Sequence, residues 1–223
     1  MVETIYQKIF INIKSESNIV KHLHRIYYES PRRTRRNTFW LGVKVYKCPL
    51  DPWVYQEIIY ETRPDIIIET GTASGGGALF LASICDLLGK GEVISIDIEK
   101  KESRPEHPRL KYILGSSTSK EIVEKVEMLI RGKDRIMAIL DSDHHKGHVL
   151  RELKIYSKFV TKESYLILED TNINGHPVKP KFGAGPMEAV NAFLKINDDF
   201  VIDRSREKFY LTFNPDGYLK KIK

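Results

Sequence analysis

Two short stretches carry the side chains best suited to chemistry. Residues 140–148 read LDSDHHKGH and follow the apolar run RIMAIL, while residues 164–170 read SYLILED and end on two acids. Asp141, Glu169 and Asp170 thus stand at the ends of two apolar runs, and three carboxylates without a thiolate suit a hard divalent cation, Mg²⁺ or Mn²⁺. His144 comes three residues after Asp141, and an imidazole titrates near neutrality, so it is a candidate general base. Two other readings stay open. The acids could cap helices and solvated strand ends, or His144 and His148, four apart, could join Asp141 in a two-histidine, one-carboxylate iron site. His145 reads as solvent-facing. Asp143 competes with Asp141 as ligand, and strand alternation favours Asp141 if the run ends at Leu140.

A second feature is the turn IIIETGTASGGGALF, residues 66–80, between an apolar run and a helical pattern. Glycines let backbone approach a ligand, and a helix N-terminus offers unpaired N–H groups. The turn has neither a clean G-x-G-x-x-G nor the G-K-[ST] of a triphosphate loop. Its weight comes from Asp97, which ends the following strand-like run and is placed to accept ribose hydroxyls. An adenosine-bearing cofactor held by Glu69, Gly71, Thr72, Ser74, Gly75, Gly76 and Asp97, with Asp141 also in its site, is the reading; a plain glycine-rich turn with two capping acids is the alternative.

These residues need a scaffold that brings them to one edge. From about Pro64 the chain alternates apolar runs (DIIIET, GEVISIDIE, LKYILG, RIMAIL, SYLILED) with helical patterns (GALFLASICDLLG, SKEIVEKVEMLIRGKD, HVLRELKIYSKFV, MEAVNAFLKI), the mark of βαβ units around a mainly parallel sheet. In such sheets ligands bind outside the carboxyl ends of the strands, where the acids fall. Near the end, FVIDR and KFYLTF lie too close for a parallel crossover and are expected to pair as an antiparallel hairpin. The predicted fold is α/β and Rossmann-like, a mainly parallel seven-stranded sheet ending in an antiparallel hairpin, with helices on both faces: the class I methyltransferase arrangement. Residues 1–50 read as an N-terminal extension, a helical arm, ahead of a domain at 51–223.

Composition bounds the rest. Of 223 residues 41% are hydrophobic and 30% charged, which is globular. No apolar run is long enough for a membrane span, no leader pattern is seen, and only Cys48 and Cys85 are present, so the expectation is a soluble protein of the reducing cytoplasm. The net charge of +6 is concentrated in Arg32, Arg33, Arg35 and Arg36 and in the tail YLKKIK. A solvated basic loop is the plainest account of the arginines; an oligomer contact, a substrate-phosphate clamp or a nucleic-acid or anion-binding arm on a methyltransferase fold stay open.

The stretches PLDPWVYQEIIYETRPDIIIETGTASGGGALFLA, VISIDIE, GSSTS, ILDSDHHKGHVLREL, YLILEDTNINGHPV and GPMEAVNAFL together resemble the cephalosporin hydroxylase and rhamnosyl O-methyltransferase family, over roughly Pro49 to the C-terminus. The resemblance implies an S-adenosylmethionine-dependent, Mg²⁺-assisted O-methyltransferase, often oligomeric, that acts on hydroxyls of sugars or antibiotic scaffolds. It implies metal ligands at Asp141, Glu169 and Asp170, with His144 as base. The Glu69–Gly77 turn would hold the methionine portion of the cofactor, Asp97 its ribose, and Ser116 and Ser117 would lie near the adenine. The loop NGHPVKPKFGAGP would close over the acceptor, a small-molecule hydroxyl compound such as a glycoside, with His176 touching it. Nucleic acid and membrane are not expected partners; a homo-oligomer is.

Overall fold

The computed structural model describes residues 16–223. The first fifteen residues of the expected arm lie outside that range. The described part opens with helix α1 (Glu16–Glu29), then a two-stranded antiparallel ribbon, β1 (Phe39–Trp40) with β2 (Val43–Lys44), and helix α2 (Leu50–Thr62). A βαβ series follows: β3 (Ile66–Thr70), α3 (Gly76–Leu87), β4 (Glu92–Asp97), β5 (Leu110–Leu114), α4 (Lys120–Ile130), β6 (Ile136–Leu140), α5 (Lys146–Tyr156), β7 (Tyr165–Leu168) and α6 (Pro186–Leu194). The chain closes with β8 (Phe200–Ile202) and β9 (Tyr218–Lys221).

One seven-stranded sheet runs β5-β4-β3-β6-β7-β9-β8, parallel except for β9, which is antiparallel to both neighbours. Strand periodicity explains why β3 and β6 read as unbroken apolar runs: both of their faces are covered. Ile66, Ile68, Ile136, Ala138 and Leu140 face α4, α5 and α6 through Ile122, Val126, Val149, Leu153 and Phe193. Ile67, Met137 and Ile139 face α2 and α3 through Val54, Ile58, Phe80 and Leu81. A third, smaller cluster joins Tyr28 of α1 to Cys48, Ile173, Val178, Leu211 and Phe213. Among the described residues no helix is long and apolar enough to cross a membrane.

The hairpin is antiparallel, but its second strand is not KFYLTF. Phe200–Ile202 pairs with the tail, Phe200 opposite Lys221 and Ile202 opposite Leu219. Residues 208–213 instead run as irregular chain beneath α1, with Leu211 and Phe213 in the third cluster and the Phe213 N–H on Asp51 Oδ2, 2.9 Å away. The tail enters the sheet because Tyr218 and Leu219 are fully buried, while its lysines run outward: Lys221 Nζ donates to the carbonyls of Val160 and Ser157, and Lys220 pairs with Glu163.

Candidate functional site

The parallel register sets Thr70 beside Leu140 and Leu140 beside Leu168, so β3, β6 and β7 end level and the residues after them share one rim. A cavity of about 700 Å³ opens there. It runs from Asp97, Ser116 and Ser117 past Gly71 to Asp141, His144, Glu169 and Asp170, and Tyr28, Arg35, Arg36 and Lys179 also line it. Gly71 makes the junction possible. Its φ is +85°, and a Cβ there would lie 1.9 Å from the Asp141 carbonyl oxygen.

Asp141, His144 and Asp170 each bring a ligating atom to within 4.8 Å of the other two. His144 Nε2 lies 3.3 Å from Asp170 Oδ2. Glu169 stands beside this group without joining it. Its Oε1 accepts from Lys47 Nζ and from Tyr55 O–H, both at 2.6 Å, and Asn214 donates to the same tyrosine oxygen. Lys47 also donates to Asp141 Oδ2 at 2.6 Å, so one buried ammonium bridges the tips of β6 and β7. Burial opposes the charge on Lys47, yet Asp141, Glu169 and Glu69 outweigh it and hold its pKa well above the usual lysine value. Burial raises the pKa of Asp141, Glu169 and Asp170, with Lys47 or His144 pulling back. Raised carboxylates mark a pocket where further positive charge is favourable.

At the other end Asp97 accepts from the Ala73 N–H and from Arg104 Nη2 on Oδ2, and from the Glu99 N–H on Oδ1. Oδ1 thus keeps acceptor capacity toward the cavity. The remaining turn residues shape the site from behind. Thr72 and Glu69 both bond Ser95 Oγ, and burial lifts the Glu69 pKa to about 7, against the pull of Lys47 and Ser95. Ser74 does not line the cavity. Gly75 and Gly76 fit under Pro105 and the Lys44 carbonyl, where a Cβ would come within 2.8 and 2.3 Å.

Several expectations separate here. Ser117 and Ser142 donate to Glu152 Oε1, and His148 Nε2 lies 3.4 Å from that oxygen, so His148 lines the cavity but does not join Asp141 and His144 in an iron triad. Asp143 lines the cavity but spends Oδ1 on the backbone N–H and ring of His145, which is 71% exposed. His176 lies outside the cavity. Its Nε2 is 2.9 Å from Glu188 Oε1, and it lines a separate space of about 380 Å³ with His24 and Tyr210. The arginine run divides: Arg35 and Arg36 reach the cavity and Arg32 and Arg33 do not. Sequence reasoning missed Lys47, Tyr55 and Tyr28. The one trace of Lys47 was its place as the only charge in VYKCPL.

Comparison with known proteins shows the family. A model of the Rhamnosyl O-methyltransferase/CmcI family matches residues 32–222, which extends ahead of Pro49 and takes in both Arg35 and Lys47. A rhamnosyl O-methyltransferase of Mycobacterium leprae is 39% identical over 208 residues, covering 91% of this chain and 90% of the relative. Among solved structures, CmcI with Mg-SAM aligns over 84% of this chain and 78% of its own at TM-score 0.64 and 21% identity. The methyltransferase MycE with Mg, SAH and mycinamycin VI aligns over 76% of this chain and 44% of its own, at 0.50 and 20%. With one family matched from ahead of the site to the last strand, the chain belongs to the rhamnosyl O-methyltransferase/CmcI family.

Proposed function

We propose that this protein transfers a methyl group from S-adenosylmethionine to a sugar hydroxyl with the help of a magnesium ion. The observation that carries the reading is the meeting of Asp141, His144 and Asp170 at one point, on a cavity that continues to Asp97. CmcI and MycE, which share the fold, bind Mg together with SAM or SAH, and the M. leprae relative is named for a rhamnosyl acceptor. The donor set fits a hard divalent ion: two carboxylates, a third at Glu169 alongside, and no thiolate.

Asp141 and Asp170 would hold the ion, with Glu169 balanced by Lys47 and Tyr55 at their back. A bound magnesium ion would acidify a coordinated hydroxyl and fix its orientation. His144 would take the proton of the acceptor hydroxyl, and His148 is kept from the role by Glu152, which raises its pKa. Asp97 accepts from the ribose through Oδ1, Gly71 and Ala73 let the methionine portion approach the backbone, and Ser116 and Ser117 border the adenine. On this reading residues 51–223 form the cofactor domain, and the segment ahead of it supplies Lys47, Arg35 and Arg36. The buried free thiols Cys48 and Cys85 support a reducing compartment, the cytoplasm.

The test is substitution with cofactor binding read separately. His144→Gln is expected to lower kcat about 100- to 10,000-fold, and Asp141→Asn to abolish magnesium-dependent transfer, while calorimetry shows S-adenosylhomocysteine still bound by both. Full activity of the native protein in excess EDTA would remove the ion from the scheme.

A further inference from the structure

Counting Lys47 and Arg104, which pair with its acids, the cavity has six carboxylates and six lysine or arginine cations, so a bound divalent ion would leave positive charge over. Of the lining carboxylates, Asp97 is paired with Arg104, Glu99 with Lys101 and Asp143 with His145. Asp141 and Glu169 share Lys47, and Asp170 faces His144. A divalent ion together with Lys47 would neutralise Asp141, Glu169 and Asp170 without help from elsewhere. Arg35, Arg36 and Lys179 line the same cavity, and among the described residues none of the three has a carboxylate within ion-pair distance.

Two of these cations, Arg35 and Lys179, rest against one aromatic ring. The Arg35 guanidinium stacks over the Tyr28 ring at 4.4 Å from its centroid, and Lys179 Nζ lies 5.4 Å from the same centroid. Arg35 Nε also donates to the Tyr28 carbonyl at 3.4 Å. Tyr28 itself is 5% exposed and anchored edge-on against Phe213 at 5.3 Å. Lys179 is set at the rim with φ +46°, a conformation non-glycine residues rarely adopt. Two segments distant in sequence, the loop after α1 and the loop after β7, therefore bring positive charge to the cavity that holds the acids, with the Tyr28 ring of α1 beneath Arg35 and Lys179.

We propose that the acceptor is an anionic glycoside, whose hydroxyl sits at Asp141 and Asp170 while a phosphoryl or carboxylate group on the same molecule is held by Arg35, Arg36 and Lys179. The inference rests on the methyltransferase reading and adds the class of substrate to it. An arginine fork gives a planar anion two parallel hydrogen bonds, and a partly desolvated cavity strengthens them. A neutral glycoside would offer these cations no anion.

Calorimetric titration of the protein loaded with S-adenosylhomocysteine and Mg²⁺ tests this, with methyl rhamnoside, methyl glucuronide and a nucleoside-diphosphate sugar as probes. At least one anionic probe is expected to bind about tenfold or more tighter than the neutral one. That preference should shrink at high salt and fall to within about twofold in Lys179→Gln and in Arg35→Gln. Comparing the two anionic probes tells phosphoryl from carboxylate. Equal affinity for neutral and anionic probes would overturn the proposal. So would weaker S-adenosylhomocysteine binding in the exposed-site variant Lys179→Gln, since the cations would then serve the cofactor's carboxylate. Failure of the native protein to bind S-adenosylhomocysteine at all would instead sink the methyltransferase reading.

Discussion

Lys47 is the side chain on which the two acid-bearing strand tips meet. Its Nζ touches Asp141 and Glu169 at 2.6 Å each, and it is 7% exposed. Removing one member of a buried ion pair leaves the other charge uncompensated, at about 3–5 kcal/mol. Lys47→Met keeps the side chain's length and deletes the charge, so the metal-free variant should lose stability on that scale. Magnesium should then stabilise the variant more than the native protein, because the orphaned carboxylates gain a partner from it. Thermal shifts in EDTA and in MgCl₂ check this; an equal magnesium shift in both proteins would show that the ion and Lys47 act on separate acids. Being the only charge in VYKCPL does not show what the lysine does, since its partners lie 94 and 122 residues away.

Between elements, the site depends on how closely β3 and β6 end together. The in-register pair Thr70 and Leu140 leads straight into Gly71 and Asp141, and the Asp141 N–H donates to the Thr70 carbonyl at 2.9 Å. Gly71→Ala would put a methyl group against the Asp141 carbonyl in a left-handed conformation. It should destabilise the fold by about 2 kcal/mol or more and weaken S-adenosylhomocysteine binding, because the carboxylate rim must shift. Gly132→Ala is the control. Its φ is +76° but a Cβ there meets nothing within 4 Å, so it should cost only about 1 kcal/mol and leave cofactor affinity unchanged. Denaturant unfolding with calorimetry separates the two, and an affinity loss in both would show that strain anywhere in the chain suffices.

At the scale of the molecule, the irregular segment 203–217 is tied into the core by Asp51 at the start of α2, which accepts from Thr212 Oγ1, the Phe213 N–H and Tyr218 O–H. Burial raises the Asp51 pKa to about 7, with Glu169 adding to it and those three donors pulling back. Because the folded value lies above the unfolded one, the stability linked to this group is present at low pH and lost as pH rises from about 3.8 through 7. Asp51→Asn lacks that titration. Its melting temperature relative to the native protein should therefore rise between pH 5 and pH 8, whatever the offset from altered hydrogen bonds; a constant difference would refute the assignment. The buried acid also marks where local reading stops. Strand order up to β7, the rim of acids and the glycine turn were legible because each is written in short-range pattern: two-faced apolar runs, turn residues, and acids where runs end. The hairpin partner was not, because KFYLTF alternates like a strand but finds its hydrogen bonds on Asp51 and Asn172, while YLKK looks like a solvated tail. By itself the sequence determined the fold class, the family and which acids share an edge. Only the tertiary structure decided that Lys47 stands between two of them, that Glu169 stands apart from the cluster of Asp141, His144 and Asp170, and that Arg35 and Lys179 line the same cavity, since each is a meeting of residues far apart along the chain that no local period encodes.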